Sequence, residues 1–361
     1  MRYRAIAGPT LAALLCTPVT TALSAQPGAP PSPGASAPAP PISERELVRR
    51  VRAFLDSLSR AEQFSGVISI SRRGSAVFER AYGHADRERR LPNTIETAFN
   101  LGSINKLFTS IAIRQLAADG RLALDSTLAR AWPGFPDTGI ARRVTIRQLL
   151  DHRSGVSGNI FAVPGVASQR DVRHNREFLA AVINTPLAFP PGSRQQYSNA
   201  GYVLLGAVIE HVSGEDYYAY VQQHIFAPAG MTRTGHFAVD SLPARTATGY
   251  TRGGDGGPPA ASTDTPLRPN SAALPGRGSA AGGGYSTVGD LKRFLEALRA
   301  KAIPAGPPAG IGIAGGTGGV NAVVEGAMPG GYDVIVLSNF DPPSAERVSR
   351  QIAAWLGVRD P

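Results

Sequence analysis

The chain is 361 residues long, 42% hydrophobic and 18% charged, with 41 glycines and 30 prolines, a composition that supports a packed core and excludes wholesale disorder. The net charge of +10 raises nucleic acid or an anionic surface as a partner, yet the arginines alternate with acids, as in Asp86-Arg87-Glu88-Arg89-Arg90, or stand in short pairs such as Arg142-Arg143. This reads as a solvated surface, and no nucleic-acid motif with interleaved aromatics occurs.

In chain order, Arg2 and Arg4 precede an apolar stretch around Leu11 to Leu15, and Leu23-Ser24-Ala25 ends it in small residues. Residues 1–25 therefore read as an export signal cleaved after Ala25, which implies a periplasmic or secreted protein. The only cysteine, Cys16, leaves with it, so the mature chain has no disulfide. After the leader no run of about 18 apolar residues remains to span a bilayer. Residues 26–42 are mostly Pro, Ala, Gly and Ser, the composition of a spacer.

Ser43 and Glu46 form a capping-box pattern ahead of Leu47, Val48, Val51, Phe54, Leu55 and Leu58, which are spaced as one helix face. Residues 67–71 and 76–81 alternate around Arg73-Gly74 and predict a hairpin. Helical patterns follow at 103–119, 145–151, 175–184, 200–212, 215–225 and 287–299. Thr251 to Gly284, rich in Gly, Pro, Ser and Ala, reads as a mobile surface loop. Strand patterns at 321–325 and 332–338 and a helical stripe of Val348, Ile352 and Leu356 close the chain. The fold class is thus α+β: an antiparallel sheet drawn from both chain ends, flanked by helices, with a helical insertion between. Residues 43–361 form a single domain, its α/β part at 43–100 and 285–361 and its helical part at 101–284.

Two stretches carry chemistry. In Gly102-Ser103-Ile104-Asn105-Lys106 a serine starts a helix and a lysine follows one turn later on the same face. Ile104, Leu107, Phe108, Ile111 and Leu116 make that helix apolar nearly all round, hence buried. Burial lowers a lysine pKa and lets the amine act as a base, which arginine cannot do. Only three of the 37 basic residues are lysines, Lys106, Lys292 and Lys301, so a lysine at 106 stands out. The second stretch, Tyr197-Ser198-Asn199, lies between a Gly-rich turn and the apolar run starting at Val203. It can present a phenol and an amide side by side; read alone, it equally fits a core aromatic followed by a helix cap.

Together the two stretches resemble the serine β-lactamase, DD-peptidase and esterase superfamily, in which Ser-x-x-Lys is a signature. The likeness runs from about Phe64 to Leu356 and includes Phe64-Ser65-Gly66-Val67, Ala81-Tyr82-Gly83, the 145–155 stretch with Leu149-Leu150-Asp151-His152-Arg153-Ser154-Gly155, and Gly282-Gly283-Gly284-Tyr285. With Tyr-Ser-Asn as second motif the chain is similar to the branch of class C β-lactamases and family VIII esterases. The resemblance implies a β-lactamase/transpeptidase-like fold with Ser103 as acyl-accepting nucleophile. Lys106 and Tyr197 would share its proton traffic, and Asn199 would hold Lys106 or the substrate. It further implies an oxyanion hole from the Ser103 and Gly316 amides on a glycine-rich strand that includes Gly315. Ile313 occupies the position where the family carries Lys or His, and the segment before this strand is short.

The expected activity is an exported serine hydrolase working through an acyl-enzyme on Ser103, esterase-like or peptidase-like, on a small ester, amide or peptide, with no cofactor and no nucleic-acid partner. The alternatives are a catalytically impaired penicillin-binding-like or ligand-binding protein on the same fold, and a class C-like β-lactamase. A Ser-His-Asp hydrolase is disfavoured because no Gly-x-Ser-x-Gly elbow occurs. A metal enzyme is disfavoured because the six histidines show no ligand spacing, and His152 reads as a hydrogen-bonding structural histidine.

Overall fold

A computed structural model describes residues 42–253, 265–306 and 311–358. The expected leader at 1–25 and, apart from Ile42, the spacer at 26–42 lie outside the described residues. Five long helices, α1 (Glu44–Arg60), α2 (Asn105–Ala118), α3 (Asn199–Ser213), α4 (Val288–Arg299) and α5 (Ser344–Trp355), accompany five strands. These are β1 (Gly66–Arg72), β2 (Ser75–Tyr82), β3 (Ile311–Thr317), β4 (Val320–Met328) and β5 (Tyr332–Ser338).

Helix α1 starts where Ser43 Oγ accepts from the Glu46 amide at 3.2 Å. The second half of the capping box does not form, because the Glu46 carboxylate accepts from Arg49 and Arg50 instead. Leu47, Val51, Leu55 and Leu58 are buried on one stripe, each contributing roughly 1.5–3 kcal/mol. The β1–β2 hairpin turns through Arg73 and Gly74, both at positive φ (50° and 85°), as a two-residue turn matching the strand twist requires.

The strand order is β2-β1-β5-β4-β3, antiparallel throughout. Strands from opposite chain ends meet at its centre, where β1 pairs with β5 from Gly66↔Ser338 to Arg72↔Tyr332. Side chains alternate between faces. Ile68, Ile70, Val334 and Val336 pack under α1 and α5, while Val67, Ile335, Leu337 and Val324 face the helical part. The α+β fold therefore stands as read. Strand β3, which the family resemblance implied as a glycine-rich strand, is an edge strand of seven residues.

Helix α2 is buried nearly all round, with Phe108 edge-to-face against Phe226 and Phe294. The pattern at 175–184 folds as a 3-10 stretch, Asn175–Ala181, rather than an α-helix. The largest departure is the supposed surface loop at 251–284. Residues 254–264 of it lie outside the described residues, but Gly278 to Ala281 run through the interior. Here small residues let a backbone pass between helices, and buried side chains satisfy its polar groups. Tyr218 donates its hydroxyl to the Gly278 carbonyl, Thr109 donates to the Ala280 carbonyl (both 2.7 Å), and Asn175 Oδ1 accepts from the Ala280 amide at 3.0 Å. Among the described residues no helix is long and apolar enough to cross a membrane.

Candidate active site

Ser103 sits in the 3-10 turn Gly102–Ile104 that leads into α2. Gly102 takes φ 50°, and its amide donates to Asn100 Oδ1 at 2.9 Å, which fixes the entry to the turn. Lys106, one turn later and 5% exposed, points back along the same face. Its Nζ donates to Ser103 Oγ (3.1 Å), Asn199 Oδ1 (2.8 Å) and the Ala281 carbonyl oxygen (2.5 Å). Burial pushes the ammonium well below the ordinary lysine value of 10.5.

Two of those three partners can only accept. A neutral amine keeps two hydrogens, which Asn199 Oδ1 and the Ala281 carbonyl can take, so its lone pair is left for the third partner, the Ser103 hydroxyl. The arrangement is that of a base aimed at a nucleophile.

Tyr197 reaches Ser103 from the other side, its hydroxyl 2.5 Å from Oγ, and its ring lies 4.7 Å from Lys106 Nζ. Burial pushes its phenol up, partly offset by the hydrogen bond with Ser103. Both shifts favour the uncharged form of each partner. Ser198, not Asn199, caps α3, accepting from the Gly201 amide at 2.9 Å. The Asn199 amide is thereby left for Lys106.

The edge strand β3 lies against the nucleophile turn. A Cβ on Gly315 would stand 2.2 Å from the Leu101 carbonyl oxygen and 2.7 Å from the Ser103 amide nitrogen, so only glycine permits this approach. The Gly316 amide nitrogen lies 2.9 Å from where Gly102 would carry a Cβ. Ile313, two residues back on the face that Gly315 turns to Ser103, is half-buried and packs against the main apolar cluster.

An open cleft of about 430 Å³ runs along the Tyr197 side, bounded by Val156, Ile160, Phe161 and Phe189 with Asn159, Gln196 and Asn199. None of its described lining residues is charged. Phe161 is 60% exposed at its rim. A separate cavity of about 230 Å³, lined by Phe99, Asn100, Tyr285 and Asn339 among others, includes none of Ser103, Lys106 and Tyr197.

Two parts of this arrangement were not visible in the sequence. The Ala281 carbonyl carries no side-chain signal. Tyr202, whose ring lies 5.6 Å from Lys106 Nζ and whose hydroxyl donates to the Leu150 carbonyl, is marked only by its place five residues after Tyr197. His152 is buried beside Tyr197, its ring 4.7 Å away, and is held neutral, its pKa lowered to about 4 by burial and by the nearby Lys106 charge. No group of three or more His, Cys, Asp or Glu among the described residues could hold a metal ion.

A mixed helical and antiparallel fold that brings a serine, a buried lysine and a tyrosine into mutual contact defines the serine hydrolases of the β-lactamase fold. The chain belongs to the beta-lactamase family, whose model matches residues 48–309. It is 33% identical to the esterase EstB of Burkholderia gladioli over 72% of either chain. It is 32% identical to PbpX of Bacillus subtilis (strain 168), described as a penicillin-binding protein, over 65% of this chain and 55% of that one. The match thus spans about half of PbpX's length. Among solved structures, a penicillin-binding protein from Bacillus halodurans superposes with a TM-score of 0.71 at 29% identity, covering 83% of this chain and 98% of that one.

Proposed function

We propose that this protein hydrolyses small, uncharged esters through an acyl-enzyme on Ser103. The observation that carries the reading is the Lys106 amine, held by two obligate acceptors with its third contact on Ser103. Ser103 Oγ gives its proton to Lys106 Nζ and bonds to the substrate carbonyl carbon. The oxygen that becomes negative accepts from the Ser103 and Gly316 amides. As the carbon–oxygen bond to the leaving group breaks, Tyr197 supplies the proton that makes it an alcohol, and the proton that Lys106 took from Ser103 returns the phenol to its neutral form, Lys106 Nζ lying 4.7 Å from the Tyr197 ring. Water then attacks the acyl-enzyme, loses its proton to the same pair, and releases the acid with Ser103 restored.

Substrate class follows from charge. The described cleft lining carries none, and Ile313 stands where the family resemblance places a cation that could have held a carboxylate. Likeness to EstB points the same way. Likeness to PbpX supports the second reading, a penicillin-binding-like protein. Intact mass after a fluorophosphonate probe tests the nucleophile: one adduct is expected, and none on Ser103→Ala. Turnover of short-chain nitrophenyl esters against a chromogenic cephalosporin then separates the readings. A higher kcat/KM for the cephalosporin overturns the ester assignment. The leader at 1–25 supports export, tested by N-terminal sequencing of envelope or medium protein, with a start at Gln26 expected and intact Met1 refuting it.

A further inference from the structure

Ser103 Oγ is met from one side by a lysine on a long helix and from the other by Tyr197, which lies on a stretch outside the regular helices and strands. What holds that stretch in place is His152. The short helix Ile146–Leu150 ends through Asp151, and His152 follows at φ 56°, the left-handed conformation that favours glycine and asparagine. Few side chains are held in that conformation, which directs attention to what this one does there.

Both ends of the residue grip the tyrosine segment. The His152 carbonyl accepts from the Gln196 amide at 2.8 Å, and its Nδ1 accepts from the Ser198 amide at 3.2 Å. Tyr197 is pinned between these two contacts, with the imidazole at 4.7 Å and tilted by 34° against its ring. The imidazole also meets Tyr202 at 5.0 Å, and the Tyr202 hydroxyl is anchored on the Leu150 carbonyl. A backbone N–H can only donate, so Nδ1 must carry a lone pair and the ring must be neutral.

We propose that His152 is a positioning residue that aims the Tyr197 phenol at Ser103 by accepting the Ser198 amide on Nδ1 and packing its ring against Tyr197. The inference rests on the proposed esterase chemistry and adds a residue to it. Its consequence is selective. If His152 acts through Tyr197, losing it impairs proton delivery to the leaving group, which an alkoxide requires and a nitrophenolate scarcely does.

The test compares His152→Phe and His152→Asn on a series of acetate esters with leaving groups from nitrophenol to simple alcohols. Asparagine tolerates the left-handed backbone and offers an oxygen near the place of Nδ1; phenylalanine keeps a ring but no acceptor. His152→Phe is expected to lower kcat/KM about tenfold to a hundredfold on alkyl esters and only a few-fold on nitrophenyl esters, while His152→Asn stays within about threefold of wild type. In a Tyr197→Phe background, His152→Phe should cost little more. Where His152→Phe does not fold, His152→Gln, whose oxygen reaches toward the place of Nε2, takes its part. Equal losses for the Asn and Phe (or Gln) variants, or a loss that is the same for all leaving groups and additive with Tyr197→Phe, would overturn the inference. A wild-type protein that takes no fluorophosphonate label overturns the esterase chemistry along with it. A labelled wild type with insensitive His152 variants overturns this inference alone.

Discussion

In the proposed mechanism two proton carriers flank Ser103, and they are built in opposite ways. Lys106 is part of a 14-residue helix buried nearly all round, and three partners from three parts of the chain surround its amine. Tyr197 stands half-buried at the wall of an open cleft, on irregular backbone that His152 clamps. A base has to be desolvated to lose its proton near neutrality, and a helix interior supplies that depth. A group that serves an arriving and departing substrate has to face the cleft, and an irregular stretch reaches there. The difference teaches that depth and access were assigned to separate elements rather than compromised in one.

Lys106→Arg should have the largest effect, because arginine stays protonated and so removes the proton acceptor. Acylation by a nitrophenyl ester is expected to fall by about 10²–10⁴, read as the burst rate in stopped flow. Undiminished acylation would mean the buried side is only scaffolding. Tyr197→Phe breaks the cleft side and should reduce alkyl-ester turnover by about 10²-fold while leaving fluorophosphonate labelling closer to wild type. Equal loss in both assays would erase the division of labour.

Asn199→Asp sharpens the comparison through pH. In the proposed mechanism Lys106 acts as the neutral amine, so activity is expected to rise as pH climbs through its depressed pKa. A carboxylate beside the amine favours the ammonium, and the acid limb of kcat/KM should move about one to two pH units higher. An unmoved profile would take the base role away from Lys106. The smallest kinetic effect belongs to Asn175→Ala, which loosens the segment carrying Ala281. A few-fold drop in kcat is expected, with about 2–3 kcal/mol lost in urea unfolding, since two hydrogen bonds of a fully buried amide go.

The buried side was the more legible of the two in the sequence. Ser103 and Lys106 stand out because helical periodicity, an apolar surround and the rarity of lysine coincide at one place. Tyr197 and Asn199 carried no such redundancy: a phenol and an amide before an apolar run fit a core aromatic and a cap equally well, and family likeness decided between them. Strand β3 was likewise legible only through family likeness. The glycines that lower strand propensity are the residues its approach to Ser103 demands. The segment 278–281 was misread outright, because Gly, Ala and Ser in a row describe both a solvent loop and a backbone threaded between helices. Only the buried partners Thr109, Asn175 and Tyr218 tell them apart, and they lie far away in the chain.

The pairing of β1 with β5 has a consequence for the order in which the molecule comes together. Gly66 lies opposite Ser338, so the centre of the sheet closes only after most of the chain has been synthesised. Contacts this distant are reached late and slowly, after a large loop-closure cost. The strand that lies against Ser103 belongs to the same late-arriving set. A partly synthesised or unfolded chain therefore carries its serine and lysine without the surface that completes their site. Reactivity is expected to arrive with the last strands to dock, and a chain not yet folded stays chemically quiet.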